Sequence, residues 1–242
     1  RTVSAPTQSA SLNGTTQYFS KSSPAGMTFT DDFVVSAWVK LTAYPGVAGA
    51  AIVTRYNGTS GWKLEVNSTG QVQVDGFNGG SSNYSIGVSY QSLPLNRWVH
   101  VAAQLDMSSF TATPTTTYIM IDGVDVPISV TRSGTNPTSL VQAGNLEIGS
   151  SNSGTQPFSG KIAQVAVYSA KVTQANIRAT ISQGLVGNET SLISAYSFNN
   201  SINDLNASNA NNLTANGSAV ATNADSPFGA QAGGTVSATL DY

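Results

Sequence analysis

The chain has 242 residues, of which only 9% are charged, and its formal net charge is -2. This charge balance excludes a basic face for nucleic acid and a polybasic surface for an anionic membrane. Cysteine is absent and His100 is the single histidine, so disulfides, thiolate catalysis and histidine-rich metal sites are excluded as well. No stretch approaches the roughly 18 consecutive apolar residues of a membrane-spanning helix, which argues against membrane insertion.

Apolar and polar residues alternate with a period of two along most of the chain, which predicts strands. In chain order, strands are expected at residues 9–12, 17–20, 33–41, 51–55, 62–66, 71–74, 97–106, 117–121, 124–126, 145–148, 161–168, 193–198 and 213–220. The Asp122-Gly123 dipeptide between two of them is typical of a tight hairpin turn. Short strands at this spacing indicate an all-β sandwich. The side chains expected to form or border its core are Trp38, Val39, Val99, Val101, Ile119, Ile121, Val165 and Val167.

One short helix is predicted within this pattern, at residues 174–183. Thr173 is a suitable N-cap, Ile177 and Ile181 lie four positions apart on one face, and Gly184 suits the C-terminal cap. Residues 8–220 are expected to form a single sandwich domain. Residues 1–7 are interpreted as a linker, and residues 221–242 as a C-terminal linker or the start of a following domain, so we expect the chain to be a piece of a longer protein.

The order of several segments is informative in a way that no single motif is. Residues 11–19, 33–40, 97–102 and 118–123 are followed by 146–149, 158–169 and the helix at Thr173. Over about residues 9–198 this order resembles the laminin-G-like and pentraxin-like branch of the concanavalin A-like lectin/glucanase superfamily. The resemblance implies a jelly roll of two antiparallel sheets with a concave face available to ligands. It also implies extracellular work, because members are mostly adhesive or sugar-binding modules, often appended to enzymes or displayed on cell and virion surfaces.

Calcium is the one cofactor that the sequence suggests. In the pentraxin-like pattern, acidic and amide residues after the strand that ends at Gly149 hold calcium, whereas residues 150–154 here contain no carboxylate. A better candidate is the loop at residues 203–209, because hard cations prefer oxygen ligands and Asp204, Asn206 and Asn209 can supply them. A single carboxylate predicts an affinity of roughly 0.1 to 1 mM. The alternative is that Asp and Asn simply favour turn conformations in this loop.

Catalysis is not expected. Glycoside hydrolysis needs two carboxylates flanking the scissile bond, and Glu65, Glu147 and Glu189 each stand alone, without a Glu-x-Asp-x-x-Glu arrangement. His100 alternates with core positions in a strand, so a packed or surface histidine is favoured over a general base. A glycan-cleaving enzyme is therefore the least favoured function.

Sugar recognition needs an aromatic face for the C–H surface of the ring and amide or carboxylate groups for its hydroxyls. These groups are concentrated in the middle of the chain, on strands and loops expected to be neighbours. The candidate carbohydrate-binding residues are Tyr56, Asn57, Trp62, Asp75, Asn78, Asn83 and Tyr84. For each residue alone the alternative is structural, with Trp62 in the core and Tyr84 an ordinary strand residue.

These observations favour a non-catalytic carbohydrate-binding or adhesion domain. Its partner is expected to be a glycan, and its parent a larger extracellular, cell-surface or virion-surface protein. The alternative is a structural display or assembly module that binds protein partners, such as other chains of a surface or virion assembly.

Overall fold

Strands form almost all of the regular structure in the computed structural model, which describes residues 6–29, 31–80, 83–106, 116–134 and 144–228. In chain order the strands are β1 Ser9–Asn13, β2 Tyr18–Lys21, β3 Phe33–Leu41, β4 Ala50–Tyr56, β5 Gly61–Val66, β6 Gln71–Phe77, β7 Tyr84–Ser92, β8 Val99–Leu105, β9 Tyr118–Ile121, β10 Val124–Asp125, β11 Ile128–Ser133, β12 Leu146–Ile148, β13 Ser159–Tyr168, β14 Leu192–Tyr196, β15 Thr214–Asn216 and β16 Val220–Asn223. The helix α1 spans Gln174–Gln183. The described part of the chain contains no helix long and apolar enough to cross a membrane.

The strands pair in two antiparallel sheets that pack face to face. The front sheet has the order β11-β7-β6-β5-β4-β12-β2-β15, and the back sheet has the order β10-β9-β8-β3-β13-β1-β16, with β14 also paired to β13. The predicted two-sheet jelly roll with one short helix is therefore confirmed. Each sheet has an inner face toward the other sheet and an outer face turned away from it.

The core lies between the inner faces, where the alternating residues of the strands meet. The inward side chains of β3, from Phe33 to Leu41, are each at most 1% exposed. Those of β8 lie beside them in the back sheet, and Trp62, Leu64 and Val66 of β5 close the core from the front sheet. Burying apolar side chains of this size stabilises the fold by about 1.5 to 3 kcal/mol for each residue, and this burial sets the register of both sheets.

The strands β7 and β11 are absent from the prediction, and the alternation in β7 is inverted. Its inward positions carry small residues, with Ser85 and Ser89 fully buried, while Tyr84, Ile86 and Val88 point outward and remain partly exposed. The sequence of β7 does alternate with a period of two, but its apolar residues face outward instead of into the core. The pair β7 and β11 extends the front sheet beyond β6 and gives it a wide outer face.

The helix α1 has the predicted bounds and caps. The Thr173 hydroxyl accepts a hydrogen bond from the backbone N–H of Asn176 at 3.2 Å, and Gly184 has a φ of 73°, in the left-handed region that favours glycine. Ile177 is fully buried against an apolar cluster on the outer face of the back sheet. The helix therefore covers part of the outer face of the back sheet and leaves the front sheet uncovered.

The domain continues past its predicted boundary at residue 220. The strand β16 pairs with β1, and Ala221 belongs to the core. Beyond this strand, Asp225 accepts hydrogen bonds from the ammonium groups of Lys40 and Lys161. The expected C-terminal linker is therefore corrected as far as residue 228, whereas residues 1–5 and 229–242 lie outside the described residues.

Candidate functional site

A cluster of charged and amide side chains occupies the centre of the outer face of the front sheet. Lys63 and Glu65 of β5 point outward because their neighbours in the strand fill the core. On β6, Asp75 lies directly opposite Lys63 and Gln73 lies opposite Glu65. We call Lys63, Glu65, Gln73 and Asp75 the polar floor.

The polar floor is a closed network of ion pairs and hydrogen bonds. The Lys63 ammonium lies 2.8 Å from a Glu65 carboxylate oxygen and 3.3 Å from an Asp75 oxygen. The Gln73 side chain donates to both carboxylates at 3.0 Å. The Lys63, Glu65 and Asp75 side chains are only 10%, 5% and 0% exposed, so the network is largely withdrawn from water. Buried charges of this kind are fixed in position by their partners, which makes the floor rigid.

Burial changes the protonation of this network. Burial and the neighbouring Glu65 carboxylate raise the pKa of Asp75 to about 8, although Lys63 acts in the opposite direction. Burial alone lowers the pKa of Lys63, but attraction to Asp75 and Glu65 outweighs it and the pKa is raised. At neutral pH the floor therefore consists of a Lys63–Glu65 ion pair beside a largely protonated Asp75.

Three aromatic rings stand at one end of the polar floor. Tyr56 ends β4 and Phe77 ends β6, and their ring centroids are 5.4 Å apart. The Lys63 ammonium lies 5.6 Å from the Tyr56 centroid and 5.4 Å from that of Phe77, within the range of a cation–π contact. Tyr84 pairs with Phe77 across β6 and β7. We call Tyr56, Phe77 and Tyr84 the aromatic rim; all three side chains are partly exposed.

The connection between β12 and β13 bounds the polar floor on one side. Its residue Gln156 donates to Glu65 at 2.9 Å, and the carbonyl of Ser150 accepts from the Thr54 hydroxyl at 3.0 Å. Glu147 secures this connection, because its carboxylate accepts from the Ser150 hydroxyl at 2.5 Å and from the backbone N–H of Ser153 at 2.7 Å. On the other side, the partly exposed Ile86 and Val88 of β7 continue the face.

The structure brings six of the seven predicted sugar-binding residues to one end of the front sheet. Tyr56, Asp75 and Tyr84 lie on the outer face. Asn57 lies in the turn between β4 and β5, where its side-chain oxygen accepts from the backbone N–H groups of residues 59 and 60. Asn78 and Asn83 are joined by a backbone hydrogen bond at the start and end of the β6–β7 turn. Of the three outer-face residues, Asp75 is 0% exposed and can act only from beneath the surface.

Trp62 is the exception and corrects the prediction. Its indole is 1% exposed and packs in the core, with its ring centroid 5.3 Å from that of Phe33. Because strand side chains alternate between faces, Trp62 points inward while its neighbour Lys63 points outward. A tryptophan in this position stabilises the sandwich and cannot contact a ligand on the outer face.

The site also contains residues that the sequence argument missed. Lys63, Gln73, Phe77 and Gln156 surround the predicted residues. The alternation of β5 indicates that Lys63 faces away from the core, since Lys63 lies between the apolar Trp62 and Leu64. Nothing in the sequence signals Gln156, which reaches the floor from a strand connection 91 positions away from Glu65.

The acidic residues and the histidine occupy different environments. Glu65 does not stand alone as expected, because Asp75 joins it through Lys63 and Gln73 from the neighbouring strand. Glu147 and Glu189 have no acidic neighbour among their hydrogen-bond partners within the described ranges. His100 is 2% exposed on the back sheet, and burial lowers its pKa to about 3, so it is a neutral packed side chain.

The predicted calcium loop is organised by its own hydrogen bonds. The Asp204 carboxylate accepts from three backbone N–H groups, those of Ala195, Asn206 and Asn211, at 2.9, 2.9 and 3.1 Å. The side-chain amides of Asn206 and Asn209 donate to backbone carbonyls that include that of Ile193. Among the residues that the structure describes, no group of three or more histidine, cysteine or acidic side chains could hold a metal ion. Calcium binding at Asp204, Asn206 and Asn209 stays a prediction, and its ligands would have to exchange these bonds.

Solved structures with the same fold include the following three proteins. A proposed carbohydrate-binding protein from Bacteroides ovatus is similar with a TM-score of 0.62 and 19% identity over 90% of this chain, which spans 60% of that protein. The CBM40 of a Ruminococcus gnavus IT-sialidase, bound to α2,3-sialyllactose, gives 0.53 and 12% identity over 73% of this chain and 99% of the module. A heptameric SAP-like pentraxin from Limulus polyphemus gives 0.51 and 12% over 74% of this chain and 83% of that chain.

The sequence comparisons give the family. No curated protein matches the chain. The Laminin_G_3 family model, however, matches residues 13–178, which is more than half of the chain and contains the polar floor and the aromatic rim. The chain belongs to the Laminin_G_3 family of the concanavalin A-like lectin/glucanases superfamily.

Proposed function

We propose that the protein is a non-catalytic carbohydrate-binding domain whose ligand lies on the outer face of the front sheet. The observation that carries the proposal is the aromatic rim, in which three partly exposed rings surround the end of a rigid polar floor. The proposed carbohydrate binding of the Bacteroides ovatus protein and the sialyllactose bound to the Ruminococcus gnavus module support it.

The two parts of the site have complementary roles in this proposal. Ring faces of Phe77 and Tyr84 contact the C–H surface of a sugar, and the partly exposed Gln73 hydrogen-bonds its hydroxyls. The floor is held in place before the ligand arrives, so little ordering is required of it. A shallow face still gains little from apolar burial, and a single-site dissociation constant of about 0.1 to 1 mM is expected.

The burial of the carboxylates supports a non-catalytic role. A glycosidase needs a proton donor and a nucleophile or base that both reach the glycosidic bond. The raised pKa of Asp75 suits a proton donor, but its side chain is 0% exposed and cannot touch a substrate from this position. Glu65 is 5% exposed and is engaged by Lys63, Gln73 and Gln156. We therefore expect binding without release of reducing sugar.

Replacement of rim residues tests the proposal. The full chain is screened on a glycan array, and the best glycan is titrated by calorimetry into Phe77→Ala, Tyr84→Ala and the control Tyr90→Ala. Tyr90 is 67% exposed on the same strand as Tyr84, about 20 Å away along β7. We expect at least about fivefold weaker binding for each rim variant and no change for the control.

Two results contradict this proposal. Undiminished binding in both rim variants, with unfolding curves like that of the wild type, places the sugar elsewhere. If no glycan binds at all, the alternative structural display or assembly module with protein partners is favoured.

An extracellular, cell-surface or virion-surface parent protein is part of the proposal. The low content of charged residues on a Ser-, Thr- and Asn-rich chain is compatible with it.

A further inference from the structure

A cleft on the back of the sandwich lies between α1 and the segment that leads to β14. Its volume is about 300 Å³. One wall is the helix face that carries Asn176, Thr180 and Gln183, which are spaced by four and three positions and therefore share a face. The opposite wall is the segment from Gly184 to Thr190. We call this space the helix cleft; it is separate from the front-sheet site because α1 packs on the outer face of the back sheet.

The walls of the helix cleft are fixed by hydrogen bonds and packing. Ile177 anchors α1 in the apolar cluster beneath it. In the opposite wall, the Glu189 carboxylate accepts from the backbone N–H groups of Val186 and Gly187 at 2.7 and 3.0 Å. Gly187 has a φ of 91° and its Cα faces the carbonyl oxygen of Leu205 so closely that a Cβ would lie 2.4 Å from it. These contacts hold the segment in place, and they require glycine at position 187.

The polar groups of the helix cleft have unused hydrogen-bonding capacity. Tyr168 lines it with a residue exposure of 1%, and within the described ranges its hydroxyl has no hydrogen-bond partner. Burial, reinforced by the Glu189 carboxylate, raises the pKa of this hydroxyl, so it remains a neutral donor. The exposed side chains of Asn176, Gln183 and Asn188 also make no hydrogen bond to another described residue.

We propose that the helix cleft is a second saccharide-binding site, which takes one or two neutral sugar residues. No lysine or arginine lines it, so a phosphate, sulfate or carboxylate would find no counterion. Its carboxylate, Glu189, already accepts two backbone N–H groups, which weakens its attraction for a cationic amine. Amides and hydroxyls on both walls match the mixed donors and acceptors of sugar hydroxyls, and the volume lies at the small end of ligand pockets.

The apolar lining of the helix cleft fits the same ligand class. Val172, Ala179 and Val186 supply small hydrophobic surfaces between the polar groups. A sugar presents C–H patches between its hydroxyls, whereas a purely apolar ligand would leave the amides and the Tyr168 hydroxyl without partners. A protein with sites on the front and back of the sandwich could hold two glycan chains at once.

The experiment is a chemical-shift titration of the isotope-labelled full chain. The probes are glucose, galactose, mannose, N-acetylglucosamine and lactose, each at about 20 mM, with methylammonium and inorganic phosphate as charged probes. We expect at least one sugar to shift the amide signals of residues 176–190. Gln183→Ala and Tyr168→Phe should weaken that binding at least about threefold.

Controls separate this site from the front sheet and from a loss of structure. Ser182→Ala changes an exposed hydroxyl of α1 outside the cleft lining and should leave the shifts unchanged. Tyr84→Ala should weaken front-sheet binding and leave the cleft shifts unchanged. The absence of cleft shifts with every sugar, or cleft shifts with methylammonium or phosphate alone, overturns the proposal. Should Tyr168→Phe lose thermal stability, Gln183→Ala and Asn188→Ala decide, because neither side chain is bonded to the fold.

Discussion

At the scale of single residues, Asp75 couples the candidate site to pH. Its pKa in the folded protein is about 8, well above the roughly 3.9 of an aspartate in an unfolded chain. Between about pH 4 and pH 8 the folded protein therefore holds a proton that the unfolded chain has lost. Stability from this group is fully present below about pH 4 and decreases as the pH rises through 8.

Asp75→Asn should remove most of this pH dependence. Asparagine resembles the protonated acid and can still accept from Gln73 and Lys63, so the floor keeps its geometry. We expect the free energy of unfolding of the wild type to fall by at least about 1.4 kcal/mol between pH 5 and pH 9, and that of the variant to change less. Urea denaturation at a series of pH values measures both. Equal pH dependence in the two proteins would contradict the raised pKa.

Glu65→Gln provides the matched control for that measurement. The negative charge of Glu65 is one cause of the raised pKa of Asp75. Its removal should move the loss of stability to lower pH, because only burial then opposes ionisation while Lys63 favours it. A loss that stays at the same pH would assign the titration to another group.

The sequence predicts some residues of the candidate site and misplaces others for one physical reason. Tyr56 and Tyr84 lie on the outer face of the front sheet, where the prediction requires them to be accessible. The prediction for Trp62 is wrong because the residue type alone does not show whether an aromatic side chain faces a ligand or the core. Only the register of β5 decides, and that register places Lys63 outward.

At the scale of elements, alternation assigns the buried face of a strand correctly where the inner face is apolar and wrongly where the outer face is apolar. The alternation of β3 and β8 is visible in the sequence because their inward residues fill the core. In β7 the inward residues are serine and glycine, and the apolar ones form part of the candidate site. The period-two alternation of β7 is therefore present in the sequence, but it does not show which face of the strand lies toward the core.

The segment after β16 offers an element-scale prediction. Lys40 of β3 and Lys161 of β13 are direct cross-strand neighbours, an arrangement that like charges disfavour. Asp225 lies between them, with its carboxylate 2.8 and 2.6 Å from the two ammonium groups, and it also accepts from the Trp98 indole at 2.8 Å. These bonds hold the pKa of Asp225 well below its usual range, although burial acts to raise it.

Asp225→Asn should therefore destabilise the protein by about 1 kcal/mol, since the carboxylate is partly exposed to screening solvent. The double variant Asp225→Asn with Lys161→Gln should recover part of this loss, because it removes the repulsion between the lysines. Urea denaturation at low and high salt tests this, and the loss should shrink as salt is added. A double variant that is less stable than the single one would show that the lysines do not repel each other.

At the scale of the whole molecule, the sandwich places the two proposed sugar-binding sites on opposite sides. The core joins the two sheets, α1 and the C-terminal segment cover part of the back sheet, and the front sheet keeps a partly exposed aromatic rim on its outer face. Alternation and turn spacing predicted an all-β sandwich, and the jelly roll of two antiparallel sheets was implied by the resemblance of the ordered segments to a known superfamily. The cleft beside α1 was not predicted, since Tyr168 and Asn188 are brought together only by the packing of the helix on the sheet.

The proposed weak carbohydrate binding predicts that the apparent affinity for a glycan surface depends strongly on the number of linked copies. With a dissociation constant of about 0.1 to 1 mM, one copy exchanges rapidly from a glycan surface. Linking four copies through a biotin tag on streptavidin makes each later contact intramolecular, and we expect apparent affinity for a dense glycan surface to rise by at least about 100-fold. Surface plasmon resonance of the monomer and the tetramer on the glycan selected from the array measures the gain.

A Tyr84→Ala tetramer is the control, and it should lose the gain in affinity if the front face supplies the contacts. A wild-type tetramer that binds no better than the monomer would indicate that the sites cannot engage one surface together, because valency raises affinity only where geometry allows simultaneous contact.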